Sequence, residues 1–63
     1  MKNNILGLRK QLGYSQEELA KLCNVSRQTI NAIENCKYDP SLELAFKLSK
    51  VLDVTVDHLF IYK

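Results

Sequence analysis

Between Arg27 and Asn35 the side chains divide into two chemistries. With Ile30 at zero on a helical wheel advancing about 100° per residue, Ile33 lies about 60° to one side, and the pair defines an apolar inner face. The opposite face carries Gln28, Asn31, Ala32 and Asn35, with Arg27 at its edge. These groups match the edges of bases. An amide pairs with adenine N6 and N7, and an arginine with guanine O6 and N7. A small alanine admits close approach or touches a thymine methyl. None of the outward residues is acidic, so phosphates are not repelled. Gln16 opens the preceding helix, whose free N–H groups and positive dipole end suit a phosphate. Lys37 follows the amide-bearing helix, and Tyr38 and Lys10 are further donors of lower rank. Polar residues on an outer face are ordinarily just solvated, so the reading depends on the elements around them.

Other chemistries find little support. The chain holds two cysteines, Cys23 and Cys36, and a single histidine, His58. A metal site needs more ligands at closer spacing, and no cofactor motif is present. Cys23 reads as a small core residue and Cys36 as a second, separate thiol. No nucleophile–base pair or glycine-rich phosphate loop points to an enzyme. Nine Lys and Arg against seven Asp and Glu give a net charge of +2, a weak electrostatic signal for nucleic acid. No apolar run is long enough to span a membrane, and the start Met1-Lys2-Asn3-Asn4 is not a signal peptide. The expectation is a soluble cytoplasmic protein without a small-molecule ligand.

The elements are set by caps. A first helix over about Asn4–Leu12 places Ile5, Leu8, Arg9 and Leu12 on one face, and Gly13 ends it. Ser15-Gln16-Glu17-Glu18 is a capping box, with Tyr14 and Leu19 as its hydrophobic staple. Ser26 caps the next helix, about Arg27–Asn35, with Val25 and Ile30 repeating the staple. Only Cys23-Asn24-Val25-Ser26 separates these two helices, and a turn that short forces a steep crossing. Pro40 closes a loop, Ser41 caps a helix from Leu42 to about Leu52, and Thr55 caps a last helix, Val56–Phe60. The four hydroxyls are caps rather than nucleophiles. Ile61-Tyr62-Lys63 has β propensity but is too short to form a strand alone.

Ser15-Gln16-Glu17-Glu18-Leu19-Ala20, Val25-Ser26-Arg27-Gln28-Thr29-Ile30, Ile33-Glu34 and Pro40-Ser41-Leu42-Glu43-Leu44-Ala45 together resemble the Xre/Cro/CI-type helix-turn-helix family, over about Ile5 to Phe60. The resemblance implies an all-α, lambda-repressor-like bundle of five helices with the third in the major groove. It is one domain over residues 1–63, with its helix-turn-helix unit at about 16–35. Carried over by position, Arg27, Gln28, Asn31 and Ala32 contact bases, and Gln16, Thr29 and Lys37 contact phosphates. The family also pairs an arginine of helix one with a glutamate ending helix three, here Arg9 and Glu34. Ala20 is small where helix two approaches helix three. The chain departs from the family at Asn24 and Cys36, where glycine is common. Asparagine enters the left-handed region readily. At Cys36 either strain is tolerated or Asn35 takes the left-handed conformation instead.

One such unit reads few base pairs, so a two-fold homodimer on an operator, with half-sites about 34 Å apart, is expected. The apolar tail supplies the interface: Phe60, Ile61 and Tyr62, with Val54 and Val56 nearby and Leu6 able to join. Similar small repressors pair through this end, sometimes as an intersubunit β ribbon. The function implied is a bacterial or phage-type repressor. The alternative is an antitoxin or other interaction partner that also binds DNA, against which the lack of a disordered extension speaks.

Overall fold

Four side-chain oxygens start four helices. In the computed structural model, which describes residues 1–62, Ser15 caps α2 (Gln16–Leu22), Ser26 caps α3 (Arg27–Glu34), Ser41 caps α4 (Leu42–Val51) and Thr55 caps α5 (Val56–Leu59). Each accepts the backbone N–H three residues on, which satisfies one donor of the free first turn. At Ser15 the box is complete: Glu18 Oε1 accepts the Ser15 N–H at 2.8 Å. The remaining helix, α1 (Ile5–Gln11), has no side-chain cap from Asn4. Asn3 Oδ1 instead accepts the Ile5 N–H at 3.1 Å.

The helix ends share one device. Gly13 (φ 79°), Asn24 (φ 59°), Cys36 (φ 60°) and Asp53 (φ 58°) are left-handed. The next residue's N–H reaches back into the helix in each case: Tyr14 to Arg9, Val25 to Ala20, Lys37 to Ala32 and Val54 to Ser49, at 2.9–3.0 Å. These are Schellman closures, which consume otherwise orphaned carbonyls. Cys36 itself is therefore left-handed, whereas Asn35 has φ −89°.

Ile5, Leu19, Cys23, Ile30, Ile33, Leu48, Leu52 and Leu59 are wholly buried and join α1 to α5 around one core. Leu8, Tyr14, Val25, Val51, Val54 and Phe60 pack on its margin. Leu12 differs from expectation: although it keeps helical dihedrals as the C-cap of α1, it lies at the end of the helix, half exposed. Leu42 and Phe46 are also exposed, on the side of α4 away from Leu44 and Leu48.

The two chain ends form a small antiparallel sheet, β1 (Lys2–Asn3) against β2 (Phe60–Ile61), with Lys2 opposite Ile61 and Asn3 opposite Phe60. The tail's β propensity thus finds its ladder partner within the same chain, and α5 stops at Leu59 rather than Phe60. Lys63, included in the expected tail segment, lies outside the described residues. Asn4 adds two bonds beside the sheet, its N–H to Leu59 O at 2.8 Å and its Nδ2 to His58 O at 2.9 Å. Among the described residues no helix is long and apolar enough to cross a membrane.

Candidate nucleic-acid interface

The face that α3 turns to solvent follows from the one it buries. Ile30 and Ile33 are 0% and 1% exposed, so the opposite side must face out. Arg27, Gln28, Asn31 and Asn35 are exposed there, and Ala32 is half-buried beside them. Asn31 and Asn35, one helical turn apart, are joined: Asn35 Nδ2 donates to Asn31 O at 2.9 Å and to Asn31 Oδ1 at 3.2 Å. Arg27 and Gln28 form the N-terminal end of the same surface, next to the Ser26 cap.

The C-terminal end of α3 is anchored by charge. Arg9 Nε donates to Glu34 Oε2 at 2.7 Å and Nη2 to Oε1 at 3.3 Å, a two-point contact whose side chains are only 10% and 5% exposed. Arg9 Nη1 donates to the Tyr14 carbonyl at 3.0 Å, and Gln16 Nε2 donates to Glu34 Oε1 at 2.9 Å. Glu34 therefore ties α1 and the start of α2 to the end of α3, with the α1–α2 turn held through Arg9. Its charge is compensated inside the protein rather than facing the outer surface. A second anchor comes from β1, where Asn3 Nδ2 donates to Ile33 O at 2.8 Å.

The remaining expected contact residues lie around this helix. Gln16 is half-buried, and its bond to Glu34 uses one of two amide hydrogens, leaving the other and the backbone of the first turn of α2. Thr29 is half-buried with its hydroxyl 3.0 Å from Ser26 Oγ. Lys37 and Tyr38 are exposed in the loop after α3. Of the tail residues, Val54, Val56 and Phe60 are half-buried, while Ile61 and Tyr62 are exposed. Met1, Pro40, Leu42, Ala45, Val56 and Phe60 line a shallow, mainly apolar groove on that side.

The two thiols differ. Burial in the core pushes the Cys23 thiol up, which keeps it neutral, whereas Cys36 is exposed beside the end of α3. Two carboxyls at helix starts are held below their ordinary values by hydrogen bonds: Glu18 by the Ser15 backbone and side chain, and Asp57 first by the Thr55 hydroxyl.

Three contacts at this surface were not read from the sequence: Gln16 to Glu34, Asn3 to Ile33, and the Asn35 amide nitrogen to both Asn31 oxygens. The spacing of Asn31 and Asn35, one turn apart on a helix, is the only hint, and it serves the last of them alone.

Comparison with known proteins places this geometry. Residues 5–59 match a family model described as helix-turn-helix. An uncharacterised HTH-type transcriptional regulator of Methanocaldococcus jannaschii is 52% identical over 63 residues, covering 100% of this chain and 96% of that protein. The restriction-modification controller protein C.AhdI from Aeromonas hydrophila superposes with a TM-score of 0.81 at 34% identity, covering 89% of this chain and 85% of that one. The N-terminal DNA-binding domain of SinR from Bacillus subtilis gives 0.81 at 38% identity over 94% of this chain and 87% of that one. The crystal structure of SinR in complex with DNA gives 0.74 at 42% identity, over 82% and 84%.

Proposed function

Because the chain belongs to the helix-turn-helix family of the Xre/Cro/CI type, and the Methanocaldococcus jannaschii relative is an HTH-type transcriptional regulator, we propose that it is a sequence-specific DNA-binding repressor. In this reading residues 1–63 act as one domain, and two copies occupy an inverted-repeat operator. The observation that carries the proposal is the outer face of α3. Arg27, Gln28 and Asn31 stand exposed opposite the buried Ile30 and Ile33, and the helix is fixed at its far end by Arg9 and Glu34. A rigid helix with donors and acceptors outward is what direct readout of a major groove requires. Arg27, Gln28, Asn31 and Ala32 meet bases, while Gln16, Thr29, Lys37 and Tyr38 hold the flanking phosphates. SinR, solved with DNA and 42% identical over the matched region, supports the assignment.

Val54, Val56, Phe60, Ile61 and Tyr62 form the homodimer contact, on the side of the molecule that carries the apolar groove. The β1–β2 ladder orders Phe60 and Ile61 within one subunit, which supports a contact that presents their side chains. Such a regulator works in the cytoplasm beside its DNA, and repression follows from occupancy.

Selection of bound sequences from a random duplex pool at near-physiological salt tests the proposal. Enrichment of an inverted repeat, with half-sites about ten base pairs apart, is the expected result. A folded protein that enriches no sequence overturns it.

A further inference from the structure

Asn35 lies just past the last residue of α3, and its amide nitrogen is directed wholly at Asn31. The Asn31 carbonyl already accepts the Asn35 backbone N–H at 3.0 Å, so the side chain is not needed to satisfy it. What the second bond achieves is placement. An amide nitrogen within reach of both Asn31 O and Asn31 Oδ1 sits on the backbone side of Oδ1. The Asn31 amide is thereby turned with its oxygen toward Asn35 and its nitrogen away, toward solvent. A half-turn of that amide would set two NH2 groups face to face and lose the 3.2 Å bond.

We propose that Asn35 is a positioning residue for base readout, holding Asn31 so that it presents a hydrogen-bond donor to the major groove. The inference rests on the operator reading and deepens it. The base met by Asn31 must offer an acceptor, such as purine N7 or thymine O4. Cytosine, whose N4 is itself a donor, is rejected there. A freely turning asparagine would show either group and discriminate less.

The test is selection from a random duplex pool with the full chain as wild type, Asn31→Ala, Asn35→Ala and Asn35→Asp, each checked for folding by circular dichroism. Asn31→Ala identifies the column that Asn31 reads by erasing its preference. Asn35→Ala is expected to reduce the rejection of cytosine in that same column by about tenfold and to leave the other columns unchanged. Asn35→Asp is expected to do more: its carboxylate accepts from Asn31 Nδ2, turns the Asn31 oxygen outward, and moves the column toward cytosine. Loss of a merely structural bond would not redirect one column. Should Asn35→Ala fail to fold, the nearly isosteric Asn35→Asp carries the test alone. Variants that keep the wild-type column, or weaken every column alike, overturn the role of Asn35. A wild type that selects nothing overturns the operator reading itself, a distinct result.

Discussion

Replacing Glu34 by alanine should unfold a large part of the population. The substitution removes the carboxylate that Arg9 contacts among the described residues and leaves a guanidinium, 10% exposed, with the Tyr14 carbonyl. It also frees Gln16, whose amide donates to the same carboxylate. Breaking one side of a buried pair costs about 3–5 kcal/mol, because the surviving charge stays desolvated. A chain of 63 residues has a total stability of roughly 3–9 kcal/mol at typical per-residue values. The loss is therefore of the same order as the whole. For a domain of this size, 3 kcal/mol lowers the thermal midpoint by roughly 12–24 °C. Removing both charges, as Arg9→Met with Glu34→Leu, leaves no unpaired charge, although Gln16 and the Tyr14 carbonyl each lose a partner, and should cost far less than the sum of the two single changes. Urea unfolding followed by helical circular dichroism measures Glu34→Ala and, with Arg9→Met and Glu34→Leu made singly and together, the four corners of a double-mutant cycle. Single variants that each lose under about 1 kcal/mol and add without coupling would refute the reasoning, since that is how a solvent-screened surface pair behaves.

At the base-reading surface, Gln28→Ala should relax preference at one position of each half-site, at about 1–3 kcal/mol per contact, and selection with the variant would find specificity intact if Gln28 reads nothing. Lys37→Ala should weaken all sequences alike and reduce the slope of affinity against salt by about one; a sequence-selective loss measured by salt titration would contradict a phosphate role. Ile61→Asp together with Tyr62→Asp should raise the dimer dissociation constant, and sedimentation unchanged from wild type at micromolar protein would move the interface elsewhere. Ser15→Ala should cost about 1 kcal/mol through the lost cap. It should also change the acid limb of stability. Glu18 is held below its ordinary value of 4.5 in the fold, so its contribution is present above that pH and lost as pH falls through the lowered value. Without Ser15 this fall should flatten, and urea titrations between neutral and acid pH would show it.

The helices were legible because their starts are written in neighbouring residues. Ser15, Ser26, Ser41 and Thr55 each bond a backbone N–H three residues away, chemistry that needs no tertiary partner. Ile30 and Ile33 were legible as an inner face for the same reason, since helical spacing alone puts them together. Lys2–Asn3 was not legible as a strand: its partner lies at the other end of the chain, and two polar residues carry no alternation to read. Leu12, Leu42 and Phe46 show the converse limit, apolar side chains that remain exposed, Leu12 at the end of α1 and the other two on the side of α4 away from Leu44 and Leu48. At the candidate surface, residue types were readable but hydrogen-bond partners were not. An amide such as Gln16 or Asn35 serves donors and acceptors equally, and only the packed neighbours decide which it meets.

The small sheet at the chain ends bears on the order in which the molecule assembles. The α2 and α3 helices meet across a turn of a few residues, whereas Lys2 and Ile61 meet only after nearly the whole chain has been closed into a loop. Loop-closure entropy makes that ladder the late event of folding and the first to open. Asn3 leaves with it, and with Asn3 goes the bond to the Ile33 carbonyl. The helix proposed to read DNA can thus form early from its own cap and isoleucines and be held at its far end by Arg9 and Gln16, but it gains its second anchor there only once the two ends of the chain have met.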